Sequence, residues 1–136
     1  MVDIFVDSAA WVALFSADDK YHEPAVRFWE SMPDAKFHPV TNYYILDETY
    51  SLLRRRQNGL QRAIAFRQVV EQSGFVEVLE VTPEYRQRGW DIFVSYTDKV
   101  ISFTDCVCFA MMHDLGIYQA FSFDADLARA GFVVRP

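Results

Sequence analysis

The chain is poor in cysteine, glycine, proline and basic charge, and it has no long apolar run. Two cysteines among 136 residues exclude a disulfide framework and a four-cysteine zinc site. Cys106 and Cys108, if they share a helix, point about 200° apart and cannot bridge. Free thiols suit a reducing cytoplasm. The five glycines and five prolines are scattered, so there is no linker, repeat or low-complexity stretch. Thirteen basic residues against nineteen acidic ones leave a formal charge of -6. That argues against a basic module holding nucleic acid by phosphate contacts alone. It does not exclude an enzyme that admits a polyanion through bound cations, which reverse the sign of an acidic site. No apolar run approaches the roughly 20 residues of a membrane helix. Met1-Val2-Asp3-Ile4 carries no basic region or signal core. A soluble cytoplasmic protein, without membrane contact, is expected.

What the chain does have is apolar mass. Apolar residues make up 51% and aromatics 16%, enough for one packed core, and residues 1–136 read as one domain. Val2 to Val6 reads as a buried strand, followed by helices over Ser8 to Ala17 and His22 to Met32. Phe37 to Val40 is a short strand. Asn42 to Arg56 is a helix, with Asn58-Gly59 as its closing signal. Leu60 to Gln72 is another helix. Phe75 to Val81 alternates as a strand. Helices over Pro83 to Tyr96 and Phe103 to Leu115 precede a strand at Ala120 to Phe123. A short helix at Ala125 to Ala130 and a strand at Phe132 to Val134 close the series. Strands alternating with helices predict an α/β fold with a mostly parallel sheet of about five strands, flanked by helices. In such sheets, sites form beyond the carboxyl ends of the strands, near the topological switch point.

Four acids fall where that rule directs attention. Asp7 follows the first strand and Asp124 follows the strand at Ala120 to Phe123. Each also precedes a helix, where aspartate is a good cap. Asp105 stands in the first turn of a helix after Ser102, so a capping box explains it equally well. Glu48 lies mid-helix beside the apolar line Ile45, Thr49 and Leu52, as either a boundary residue or a ligand. Asp47 is rotated about 100° from it and cannot share its target. Carboxylates without His or Cys partners are hard oxygen ligands that suit Mg²⁺ or Mn²⁺. Such ions clamp phosphate oxygens and activate water for in-line attack at phosphorus.

Four segments carry a resemblance to a known family. Phe5-Val-Asp7-Ser-Ala-Ala-Trp11 resembles the opening of a PIN domain, and Leu46-Asp-Glu48-Thr its central acidic helix. Ser102-Phe-Thr-Asp105-Cys is similar to its third acidic motif, and Ala120-Phe-Ser-Phe-Asp124 with Gly131-Phe132 to its last. In appearance the chain is most similar to VapC-type toxins of bacterial toxin–antitoxin pairs. The resemblance implies a three-layer PIN fold and a metal-dependent endoribonuclease cleaving RNA. It implies Asp7, Glu48, Asp105 and Asp124 as catalytic and metal-binding acids, with Asp126 the alternative for the fourth. It implies Ser8 as a supporting hydrogen-bond donor, Mg²⁺ or Mn²⁺ as cofactor, a VapB-like antitoxin and a homodimer. Ser122 stands where the family often has threonine.

Other features have plainer readings. Arg54-Arg55-Arg56 end the Glu48 helix, where cations favour the helix dipole; the alternative is a phosphate-contacting patch at the pocket rim. His22, His38 and His113 lack metal-ligand spacing. Trp11, Trp29 and Trp90 fit apolar faces and are expected in the core. Two rival functions stay open. One is a receiver-like Mg-binding signalling module, against which no lysine follows the Ala120 to Phe123 strand. The other is a catalytically inert PIN interaction domain.

Overall fold

The computed structural model describes residues 1–136. Five parallel strands are ordered β3-β2-β1-β4-β5: β1 (Val2–Val6), β2 (Phe37–Asn42), β3 (Glu77–Leu79), β4 (Gln119–Phe121) and β5 (Val133–Arg135). The helices are α1 (Ser8–Leu14), α2 (His22–Ser31), α3 (Tyr43–Arg54), α4 (Gly59–Gln72), α5 (Pro83–Ser95), α6 (Phe103–Leu115) and α7 (Ala125–Arg129). From β1 the chain steps outward through β2 to β3, then crosses back to β4 and β5 on the other side of β1. With right-handed crossovers, the two directions of travel put α1 to α4 on one face and α5 to α7 on the other. The three-layer α/β architecture expected from the sequence is the one observed. The reversal of direction puts the switch point at the boundary of β1 and β4. There Phe5 pairs with Ala120 and Val6 with Phe121.

Burial explains which segments became strands. Ile4, Phe5 and Val6 are all but fully buried, as a central strand covered on both faces requires. Beneath α1, Trp11 is wholly buried against Trp29 and Phe66, with ring centroids 5.5 and 5.1 Å away. Helix α6 has an unbroken buried run from Cys106 to Met112. It is an interior helix packed on α5 and the sheet, so its sequence carries little amphipathic signal.

Several boundaries differ from the sequence reading. β2 runs two residues further, to Asn42, because that residue ends the strand and caps α3 at once. Its buried Oδ1 accepts from the Ile45 backbone N–H at 3.0 Å. β3 is confined to Glu77–Leu79, which pair with Val40, Thr41 and Asn42. Beyond Asn42 the neighbour turns into α3, so Glu80 and Val81 have nothing to pair with. Asn58-Gly59 is not the cap of α3. Asn58 adopts the left-handed conformation (φ 55°), and Gly59 begins α4. A Cβ on Gly59 would stand 2.3 Å from the Leu53 carbonyl oxygen. Trp90 is 51% exposed on α5, outside the core expected for it.

Gly89 sets how closely α5 can approach α6, the helix that carries Asp105. A Cβ there would lie 2.5 Å from Val107 Cγ2 and 2.9 Å from its Cα. Backbone contact of that kind cannot be relieved by rotating a side chain. Gly89→Ala should therefore destabilise the protein by about 1–3 kcal/mol in urea unfolding, despite alanine's better helix propensity. A variant as stable as the parent would show that the two helices can part freely.

Candidate functional site

Asp7 is positioned by β1. The strand ends at Val6, the Asp7 backbone N–H donates to the Phe121 carbonyl at 3.0 Å, and α1 starts at the next residue. It occupies the N-cap position, yet its side chain makes no capping hydrogen bond. Instead Oδ2 accepts from the Ser122 hydroxyl at 2.9 Å, and the residue is 6% exposed. The capping explanation therefore fails for Asp7. For Asp124 it holds: Oδ1 accepts from the Asp126 backbone N–H at 2.9 Å at the start of α7. Ser122 ties the two acids together. Its hydroxyl donates to Asp7 and accepts from the Asp124 backbone N–H at 3.0 Å.

Glu48 approaches from α3. Its neighbour Thr49 is buried and bonds back to the Ile45 carbonyl at 2.7 Å, so Glu48 is held at the edge of the core, half-buried. Ser8, first residue of α1, donates its hydroxyl to Glu48 Oε1. Asp47 is exposed and turned away, as helix geometry required. Asp105 sits in the first turn of α6, where the Ser102 side chain caps its backbone N–H at 3.0 Å. The carboxylate itself is left available. Carboxylate oxygens of Asp105, Asp124 and Asp126 lie within 4.8 Å of one another.

Asp124 and Asp126 have different surroundings. Asp126 Oδ1 is 2.8 Å from Arg129 Nη1 and 3.9 Å from Lys99 Nζ, so two cations already face it. Asp124 has no such partner; apart from its cap, its charge is directed at the other acids.

Burial, and after it the charge of neighbouring acids, raises the affinity of Asp7 and Asp105 for protons. Burial pushes the Asp7 carboxyl up to about 6, against the lowering effect of the Ser122 hydrogen bond; the charges of Glu48 and Asp124 add to the rise. Burial is also the largest cause at Asp105, followed by the charges of Asp7, Glu48 and Asp124, and it reaches about 7. The all-oxygen donor set fits a hard divalent cation such as Mg²⁺ or Mn²⁺ and offers neither the nitrogen nor the sulfur that zinc favours. The sequence singles out these acids and Ser8. It shows Ser122 only as a small departure from a family pattern, and it does not show the cations on Asp126, because Lys99 arrives from a loop with no motif of its own.

Both raised carboxyls bind protons more tightly in the folded than in the unfolded chain. Between the ordinary carboxylate range and about 7 the folded state therefore holds more protons. Their contribution to stability is greatest in acid and is lost as pH rises through about 6 and then about 7. In EDTA, the Tm should climb as the pH is lowered from about 8 to about 5, and Asp105→Asn should flatten the climb. A metal-free Tm that falls over that interval would mean that burial and neighbouring charge do not raise these two carboxyls.

The sequence profile of the PIN domain family matches residues 4–133. The chain is 38% identical over 134 residues to the 23S rRNA-specific endonuclease VapC20 of Mycobacterium tuberculosis, covering 98% of each protein. The crystal structure of that VapC20, described as a sarcin-ricin loop cleaving toxin, superposes with a TM-score of 0.88 and covers 98% of this chain and 99% of that one. VapBC2 of Rickettsia felis, bound to a promoter DNA fragment, superposes at 0.72 with 7% identity, covering 98% of each chain; that similarity concerns the fold alone. A receiver-like module is thereby set aside. The chain belongs to the PIN-domain family and to its VapC type.

Proposed function

We propose that this protein is a metal-dependent endoribonuclease that hydrolyses RNA phosphodiesters, with ribosomal RNA of the large subunit as its target, and that it is the toxin of a toxin–antitoxin pair. The observation that carries the reading is the acidic group beyond β1 and β4: carboxylate oxygens of Asp105, Asp124 and Asp126 lie within 4.8 Å of one another, and the charges of Asp7 and Glu48 act on Asp105. Glu48 and Asp7 are held by serine hydroxyls, and Asp7 and Asp105 have proton affinities raised first by burial and then by neighbouring acids. The identity to a 23S rRNA-specific endonuclease supports the choice of substrate.

Each residue then has a task. Asp7, Glu48, Asp105 and Asp124 would hold Mg²⁺ or Mn²⁺; Asp126, already faced by Lys99 and Arg129, is the weaker alternative to Asp124. A divalent cation bound there supplies positive charge to phosphate oxygens and acidifies water for in-line attack at phosphorus. Ser122 and Ser8 donate hydrogen bonds that fix the Asp7 and Glu48 carboxylates against rotation. Both serines spend their hydroxyl protons on carboxylates, and no histidine accompanies either, so hydrolysis proceeds without a covalent enzyme intermediate.

A VapB-like antitoxin and a homodimer complete the proposal. The exposed Trp90 and Val94 of α5 supply apolar surface for such contacts. A cytoplasmic setting agrees with the two free, buried cysteines, and no helix is long and apolar enough to cross a membrane.

Purified protein should cut ribosomal RNA with Mg²⁺ or Mn²⁺ and stop in EDTA. Asp7→Asn should abolish the cutting while the fold, followed by circular dichroism, stays intact. Cutting that survives both treatments would reject the assignment; none by the intact, antitoxin-free protein would favour an inert PIN domain. Calorimetric titration near neutral pH should record proton release on Mg²⁺ binding. Ser122→Ala should weaken that binding by about 10- to 100-fold, the usual cost of losing a partner that orients a ligand. Unchanged affinity would make Ser122 a purely structural residue.

A further inference from the structure

Beside the acidic site lies a cleft of about 290 Å³, close to the small end of the range for sites that take a small organic group (about 300–1,000 Å³). It shares Ser8 with the acidic site, and Phe123, on its wall, immediately precedes Asp124. Its chemistry is unlike that of its neighbour. Tyr21 and Phe123 stack with ring centroids 4.5 Å apart and planes 2° from parallel. Lys20 Nζ stands 4.9 Å from the Tyr21 ring centre. Arg56 lines the cleft as well, with Asp19 at 3.0 Å, so one cation is balanced and Lys20 is left with no carboxylate partner. A protein with a formal charge of -6 thus keeps a cationic, aromatic recess next to its most acidic pocket.

We propose that this cleft is a nucleotide subsite, taking one unpaired nucleotide of the RNA beside the phosphodiester to be cut. This rests on the nuclease reading and deepens it. Tyr21 and Phe123 fill each other's facing surfaces, so the base would lie on the exposed outer side of Tyr21, which Phe123 backs and holds rigid. Lys20 would meet the adjoining phosphate, with Arg56 behind it. The subsite selects for a strand whose base can leave its stack, so it favours loops over duplex. Arg56 was one of three arginines that sequence reading left between a helix-end role and a phosphate patch. Arg54 faces a different groove, beside Tyr50 and Leu60, so of these two it is Arg56 that adjoins the acids.

The test separates binding from cutting. In an Asp105→Asn background, which is expected to stop cleavage, affinity for a fluorescent single-stranded RNA is measured by anisotropy with Mg²⁺ over a range of salt. Tyr21→Ala should weaken binding by about 5- to 100-fold, the range for losing one base stack. Tyr21→Phe should bind like the parent. Exposed Lys20, whose removal does not threaten the fold, gives the second reading: Lys20→Ala should lower the slope of log affinity against log salt by about 0.7. With Asp105 restored, Tyr21→Ala should raise KM more than it lowers kcat. If the wild-type chain cuts RNA while Tyr21→Ala and Lys20→Ala bind as the parent does, with an unchanged salt slope, the subsite is overturned and the nuclease stands. If the wild-type chain neither binds nor cuts RNA, both fall.

Discussion

The hydrogen bond from Ser122 to Asp7 joins residues 115 positions apart and closes the boundary between β1 and β4. Much of the site depends on it. It keeps a carboxylate in a position that is 6% exposed, and through the same hydroxyl it fixes the backbone of Asp124. A buried acid without a partner would be costly. One with a hydroxyl donor on one side and other acids on the other is held in place yet left wanting a cation. Parallel pairing of the two central strands supplies the geometry, because it brings two strand ends to one edge of the sheet. The reversal of chain direction then leaves space between the loops that follow.

The acids divide into those already compensated and those left unsatisfied. Asp126 has Arg129 and Lys99, and at a distance from the site Asp114 has Arg88 and Tyr85. Asp7, Glu48, Asp105 and Asp124 have hydroxyls, backbone groups and each other. That contrast separates acids already faced by cations from acids whose charge is left uncompensated.

Much of this could be read from the residues. Alternating strand and helix patterns gave the sheet class, and position after a strand singled out Asp7 and Asp124. What could not be read came from contacts between distant segments. Whether Asp7 capped α1 or faced inward depended on Ser122, which lies on another strand. The extent of β3 depended on where β2 turned into α3. Trp90 matched an apolar helical face, but α5 presents that face to solvent, and a pattern in one helix does not say which neighbour is missing. The Tyr21–Phe123 stack joins a turn before α2 to the residue after β4, and no local motif announces it.

The separation between Asp7 and its partner strand also has a consequence for the order of events during synthesis. β1 can pair with β2 as soon as the first few dozen residues have emerged, but β4 is among the last segments made. A parallel pairing across so much chain forms late, because the closure must be completed before its contacts contribute. Until β4 docks, Asp7 has no Ser122, and Asp124 is not beside Asp105. A partly made chain therefore carries most of the apolar core but no assembled acidic pocket. The acids that follow β1 and β4 come together only when synthesis of the chain is almost complete.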